Sequence, residues 1–327
     1  MIRFGVIGTN WITESFLDAA TEVKDFSLTS VYSRTEEKAK EFADKHQATH
    51  TYTEIEEFAK SEEFDAVYIA SPNSYHAEQA ILCMNYGKHV IIEKSIASNA
   101  KEVESIIEAA EKNGVVVMEA LKTTFLPNFQ AIKENLHKIG TVRRYFASYC
   151  QYSSRYDAYK EGTILNAFNP KFSNGSLMDI GVYCTYPMVA LFGKPNKLLA
   201  SSFLLDSGVD GQGSIMFEYD EMSGVVMYSK IANSYIPSEI QGEKGSILID
   251  NFNSPTHVEI RYKDGTTEDI TREQVDNTMY YEAKAFIETI QSGKKESDVN
   301  SLEQSLITAQ LLEEARKQTG VVFPADQ

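Results

Sequence analysis

Hydrophobic and polar positions change rhythm once along this chain, close to Gly140. Up to about residue 120, short apolar runs alternate with longer stretches whose apolar positions recur every three to four residues. The short runs predict strands at Ile2–Gly8, Ser27–Ser33, Asp65–Ala70, His89–Glu93 and Val115–Glu119. Between the last two, Ser98 to Asn113 is patterned as a helix: Val103, Ile106, Ile107 and Ala110 share a face, Ser98 stands where a cap belongs, and Gly114 follows the end. Further helices are predicted from about Trp11, Thr35, Ser74 and Pro127. Such alternation builds a parallel sheet with helices on its faces.

From Val142 onward, strand follows strand: "VRRYFASYCQYS", "KLLASSFLLDS", "QGSIMFEY", "GVVMYSKIA", "GSILIDN" and "VEIRYKDG", with turn residues between them. That pattern predicts antiparallel sheet. Two helices, about Thr278 to Gln291 and Ser301 to Thr319, close the chain. The expected class is therefore an α/β domain over residues 1–120, then an α+β domain over 121–327 with a large, mostly antiparallel open sheet. The final helix is free to pack back on the first domain. A length of 327 residues suits two domains better than one.

Composition narrows the class of partner. With 43% hydrophobic and 24% charged residues and no long apolar run, the chain reads as soluble and globular. Met1 leads straight into the first predicted strand, so no signal peptide is expected. Cys83, Cys150 and Cys184 are odd in number and widely spaced, which favours reduced packing thiols and a cytoplasmic location. A net charge of -16 with no basic stripe argues against nucleic acid and anionic membrane, and for a small-molecule partner.

The first candidate for chemistry is "GVIGTNWITESF". Gly8 gives the tight turn of a dinucleotide phosphate loop, Thr9 and Asn10 follow, and Trp11 and Ile12 open a helix whose amides face an anion. Asn10 stands where a second glycine is usual; asparagine tolerates positive φ, so it is expected to keep the turn while narrowing the approach. A plain strand-to-helix turn is an equal reading of this loop alone. At the end of the second strand, "YSRTEEK" places Ser33 and Arg34 where an arginine suits the 2′-phosphate of NADP and an acid would suit NAD. The alternative for Arg34 is a surface pair with Glu36 or Glu37. NADP is preferred, with NAD open. His46 and His50 have helical spacing but run from a helix end into extended chain, so no metal site is expected.

"SPNSYHAEQAILCMNYGKHVIIEKS" and "NGSLMDIGVYCTY" resemble the Gfo/Idh/MocA family of nicotinamide-dependent oxidoreductases across nearly the whole chain. The resemblance implies a Rossmann dinucleotide-binding first domain, and a second domain for substrate binding and dimerisation. It implies that Ser71, Pro72, Asn73, His76, Glu93 and Lys94 line the cofactor, with Lys94 at the reacting carbon. It also implies that Gly175, Asp179, Gly181 and Tyr183 form the second motif. Tyr183, and "MEALKTTFLPN", are similar to the dihydrodiol, xylose and glucose-fructose oxidoreductase branch. Ser95 replaces the proline that in the family stiffens the turn after the lysine.

The expected chemistry is hydride transfer between nicotinamide and a secondary alcohol or carbonyl of a sugar, polyol or trans-dihydrodiol. Lys94 holds the reacting oxygen, Tyr183 exchanges its proton, and Asp179, four residues from Tyr183 on a predicted helix, orients the lysine or the substrate hydroxyls. Arg155, Tyr156 and Asn166 are candidates for substrate contact. Asn10 and Ser95 motivate a rival reading as a catalytically silent, cofactor-binding regulator; a glycosidase using the cofactor transiently is a third. The open face of an antiparallel sheet suggests a homodimer.

Overall fold

A computed structural model describes all residues, Met1–Gln327, and divides them into two compact units. The first unit comprises Met1–Lys122 and Val275–Ser305. In chain order its elements begin β1 (Ile2–Ile7), α1 (Trp11–Ala20), β2 (Phe26–Tyr32), α2 (Glu36–His46), β3 (His50–Tyr52) and α3 (Ile55–Lys60). They continue with β4 (Ala66–Ile69), α4 (His76–Asn85), β5 (His89–Glu93), α5 (Ala100–Asn113) and β6 (Val117–Ala120). The six strands are parallel in the order β3-β2-β1-β4-β5-β6. The order reverses between β1 and β4, and the crevice outside the carboxyl ends of strands at such a switch is where this architecture takes ligands.

All four residues of β4 and of β6 are buried, as a strand covered by helices on both faces requires. The short β3 and α3 had no apolar run long enough to predict them. The cap of α5 also differs from expectation. Asn99, not Ser98, is the N-cap: its side chain accepts from Glu102 N at 3.0 Å, while Glu102 Oε2 accepts from Ser98 N at 2.8 Å. The two bonds differ from a capping box in that Glu102 reaches the N–H of Ser98, one residue before the N-cap.

The second unit comprises Thr123–Gln274 and Leu306–Gln327. It opens with α6 (Pro127–Asn135), β7 (Val142–Cys150), α7 (Ser154–Lys160) and α8 (Val182–Phe192), followed by strands β8 (Lys197–Leu204), β9 (Asp210–Glu218), β10 (Ser223–Ser229), β11 (Ser238–Gly242), β12 (Gly245–Ile249), β13 (Val258–Tyr262) and β14 (Thr267–Asp269). These eight strands form one sheet, β14-β13-β12-β11-β7-β10-β9-β8. Every pair is antiparallel except β7 and β10. α8 covers one face, where the buried Tyr145 of β7 donates through its hydroxyl to Cys184 O at 2.7 Å. On the other face Leu199, Phe203 and Met216 are 56–59% exposed, and Leu199 and Met216 are cross-strand partners.

The closing helices are α9 (Met279–Gln291) and α10 (Leu302–Thr319). The units differ from the 1–120 and 121–327 division at this point. It is α9 that returns to the first unit, burying Ala283, Phe286 and Ile287 with the Phe286 ring 6.0 Å from that of Phe4. α10 belongs from Leu306 onward to the second unit. Hydrophobic periodicity identifies both helices but not the core each one fills. No helix is long and apolar enough to cross a membrane.

Replacing Asn99 by alanine removes the cap acceptor of α5 and is expected to cost about 1 kcal/mol. A lowered urea midpoint for loss of helical circular dichroism is the check; an unchanged midpoint would deny the cap a role.

Candidate functional site

The turn after β1 is shaped by two residues. Gly8 has φ +107°, and a Cβ there would lie 2.7 Å from the carbonyl oxygen of Ala70, so only glycine fits. Asn10 is not the left-handed residue expected: its φ is -134°, extended, and it is the N-cap of α1. Its Oδ1 accepts from Ile12 N at 3.1 Å and Thr13 N at 3.2 Å, and its Nδ2 donates to Ala70 O at 2.8 Å. The positive-φ bend is supplied by Gly8, which leaves asparagine free to cap.

The backbone N–H groups of Thr9, Asn10 and Trp11 have no partner within the chain, and Trp11 is 67% exposed. Unpaired amides at the start of a helix beside a strand switch point suit a diphosphate. Ser33, at the end of β2, places its hydroxyl 3.4 Å from that of Thr9. Arg34 next to it is exposed and makes no ion pair. Glu36, one of its two expected surface partners, pairs instead with Lys40 at 2.6 Å, and Arg34 forms no ion pair with the other, Glu37. The residues present therefore fit a dinucleotide, and Arg34 would hold a 2′-phosphate.

Beyond β4, Ser71 donates to Gln79 Oε1 at 2.6 Å, and Pro72 and Asn73 lead into a short 3-10 turn, Asn73–Tyr75, ahead of α4. His76 is fully buried, with Nε2 2.8 Å from Ser71 O and Nδ1 3.0 Å from Ser95 O. Both nitrogens are thus engaged inside the protein. Burial lowers its pKa to about 4, so the neutral ring prevails and donates through one nitrogen. At the end of β5, the buried Glu93 accepts from Tyr68 Oη at 2.6 Å, and Lys94 follows, half-buried and joined to Ser95 by a cis peptide.

Three buried carboxyl groups of this unit were not singled out as a group from the sequence: Glu93 on β5, Glu119 on β6 and Glu282 on α9. Burial raises the pKa of each, that of Glu119 to about 7, and Glu282 is raised further by the charge of Glu93. Lys94 and Lys122 pull Glu93 back down.

In the second unit, the glycine turn before α8 is set by Asp210. Its Oδ2 accepts from Leu177 N at 2.7 Å, and a Cβ at Gly175, where φ is +148°, would overlap Oδ1. Burial raises the pKa of Asp210 to about 6. Residues Leu177–Gly181 form a π-turn that runs into α8, so Asp179 and Tyr183 are not on one regular α-helix as expected. Asp179 forms an ion pair with Lys230, which lies just beyond β10 and is only 5% exposed. A lysine that deep needs a counter-ion, and this one takes the carboxylate expected to orient Lys94 or substrate. Lys230 was missed because a lysine near the end of a predicted strand, "GVVMYSKIA", reads as solvated.

Tyr183 is half-buried with its ring edge-on to Tyr149 at 5.9 Å. Lys230 Nζ stands 5.6 Å over the ring of Phe168, and Tyr156 packs on the same ring at 5.8 Å. Tyr156 therefore belongs to the Asp179–Lys230 neighbourhood. Arg155 and Asn166 are exposed and stand apart from that group, the backbone N–H of Arg155 donating instead to Ser153 Oγ.

Known proteins resemble this chain over both of its parts. A family model described as "Oxidoreductase family, NAD-binding Rossmann fold" matches residues 2–121, and the GFO/IDH/MocA C-terminal domain matches 129–248. The chain is 59% identical to scyllo-inositol 2-dehydrogenase (NADP(+)) IolU of Bacillus subtilis (strain 168), covering 100% of both. It is 32% identical to trans-1,2-dihydrobenzene-1,2-diol dehydrogenase of Xenopus laevis, over 98% of this chain and 99% of the other. Among solved structures, the 3-ketoreductase KijD10 from Actinomadura kijaniata, in complex with NADP and TDP-benzene, superimposes with TM-score 0.86 at 22% identity, over 98% of this chain and 99% of that one.

Because Asn10 caps a helix, Asn10→Ala is expected to cost about 1 kcal/mol of stability and to weaken NADP+ binding only several-fold. Trp11 is the sole tryptophan, so its fluorescence reports the titration directly. Abolished binding in a folded Asn10→Ala protein would make the side chain a ligand instead.

Proposed function

This chain belongs to the Gfo/Idh/MocA family of oxidoreductases, and from that premise we propose that it is an NADP-preferring dehydrogenase of a cyclic polyol. Nicotinamide-dependent hydride transfer at a CH–OH group of a polyol or sugar is its activity. To that activity we add a preference for NADP, a cyclic substrate and roles for individual residues. The observation that carries it is Arg34: exposed, unpaired, and directly after β2 beside a turn with three free amides.

Oxidation of a secondary alcohol removes a hydride from carbon and a proton from oxygen. Bound NADP+ supplies the hydride acceptor. Lys94 donates a hydrogen bond to the reacting oxygen, and Tyr183 takes the hydroxyl proton and passes it on to solvent. Asp179 and Lys230, held as a pair, offer one acceptor and one donor to neighbouring ring hydroxyls, with Tyr156 beside them. Tyr183 and "MEALKTTFLPN" favoured the dihydrodiol branch; the 59% identity to an inositol dehydrogenase over the full chain favours scyllo-inositol as the first substrate to assay.

The exposed apolar face of Leu199, Phe203 and Met216 is the surface on which a second copy would sit. Light scattering should report a dimer, and Leu199→Lys with Met216→Lys should reduce it to a monomer. A wild-type monomer at micromolar concentration would dismiss that surface.

With scyllo-inositol, kcat/KM for NADP+ should exceed that for NAD+ by about tenfold or more, and Arg34→Ser should erase the difference through loss of a charge-assisted bond. Lys94→Ala should lower kcat by roughly 10²- to 10⁴-fold. NADPH absorbance is the readout. An unchanged rate in Lys94→Ala would sink the assignment of the lysine.

A further inference from the structure

The family's stiffening proline after the lysine is absent here, since Ser95 occupies its place. The chain nevertheless grips the next peptide unit at both ends. Its carbonyl, Ser95 O, lies 3.0 Å from His76 Nδ1, and its N–H, that of Ile96, donates to Glu119 Oε1 at 3.0 Å. Both gripping side chains are buried, His76 at the start of α4 and Glu119 on β6, so neither is in exchange with water as a partner.

We propose that His76 and Glu119 form a two-sided clamp on the Ser95–Ile96 peptide that positions Lys94, doing with side chains what a proline ring does with a fixed φ. The inference rests on the assignment of Lys94 to the reacting oxygen. It makes His76 a positioning residue rather than a cofactor ligand, because the ring is fully buried and its Nδ1 faces Ser95 O. The clamp requires the tautomer with the proton on Nδ1, donating to Ser95 O. It also requires an acceptor, not a charge, at Glu119 Oε1, which glutamine retains. Two buried hydrogen bonds from β6 and α4 hold the residue after Lys94 to within their own geometry, and a lysine aimed wrongly by about 1 Å can lose roughly 10²-fold in rate.

The test combines steady-state kinetics with scyllo-inositol and NADP+, and Trp11 fluorescence for NADP+ affinity. Glu119→Ala and His76→Gln should each lower kcat by about 10- to 100-fold while the Kd for NADP+ stays within about threefold, and Glu119→Gln should recover most of the loss. In a Lys94→Ala background neither substitution should lower the residual rate further, because the group they aim is gone. Losses that multiply in that background, or a loss that appears in Kd rather than kcat, overturn the clamp. If Lys94→Ala turns over at the wild-type rate, the lysine assignment falls and the clamp with it, whereas an inactive Lys94→Ala with multiplying losses overturns the clamp alone. Should the variants fail to fold, ring 15N shifts of wild-type His76 decide: a protonated Nδ1 supports the clamp, and a bare Nδ1 overturns it.

Discussion

At the carboxyl edge of a parallel sheet, backbone carbonyls run past the last strand pairing into buried space, and each must find a donor or cost about 1–3 kcal/mol. The first unit meets this constraint with side chains that come from distant points in the sequence. Asn10 donates to Ala70 O, the neutral His76 donates to one of the two carbonyls it faces, Ser71 O and Ser95 O, and Asn300 Nδ2 donates to Glu119 O at 3.1 Å and to Leu121 O at 3.2 Å. The loops after β4, β5 and β6 are thereby held by polar groups of helices and loops rather than by apolar packing alone. One consequence is chemical. With carbonyls at the edge covered and the amides of Thr9, Asn10 and Trp11 left open, the turn after β1 presents donors to the crevice, the polarity a diphosphate needs.

Much of this architecture was legible because strand and helix periodicities differ, and because Gly8 and Gly114 mark turns that demand positive φ. What escaped was set by tertiary partners. Asn10 is as compatible with a left-handed turn as with an extended cap, and the choice depends on Ala70, sixty positions away in sequence. β11 carries too few apolar residues to show itself and forms because β7 and β12 flank it. The parallel pairing of β7 with β10 leaves no trace in either strand's pattern, since alternation is the same in both directions. The candidate site divides in the same way. Motif residues were readable, but Lys230, Glu282 and Asp210 carry no local signal of burial, and burial is what gives a charged side chain its role here.

Burial also decides how the carboxyl groups near Lys94 behave. Were Glu93, Glu119 and Glu282 all ionised at neutral pH, three negative charges would share an interior with only Lys94 and Lys122 to offset them. Burial shifts each toward its neutral form, and the charge of Glu93 further opposes ionisation of Glu119 and Glu282. Glu93 is the group most eased back toward charge, by Lys94 first and by the hydroxyl of Tyr68 next. The sheet edge can therefore hold a cationic lysine without filling its surroundings with anions.

The same economy governs the molecule as a whole. A chain with net charge -16 repels an anionic cofactor at long range, yet charges farther away than about 8 Å are screened at physiological ionic strength. The groups within that distance that would hold a dinucleotide phosphate are the three amides at the start of α1 and the unpaired Arg34. A neutral polyol meets no such long-range penalty and is recognised by direct hydrogen bonds alone. An acidic surface thus leaves attraction of a phosphate to nearby donors, while the Asp179–Lys230 pair keeps its two charges where they meet each other.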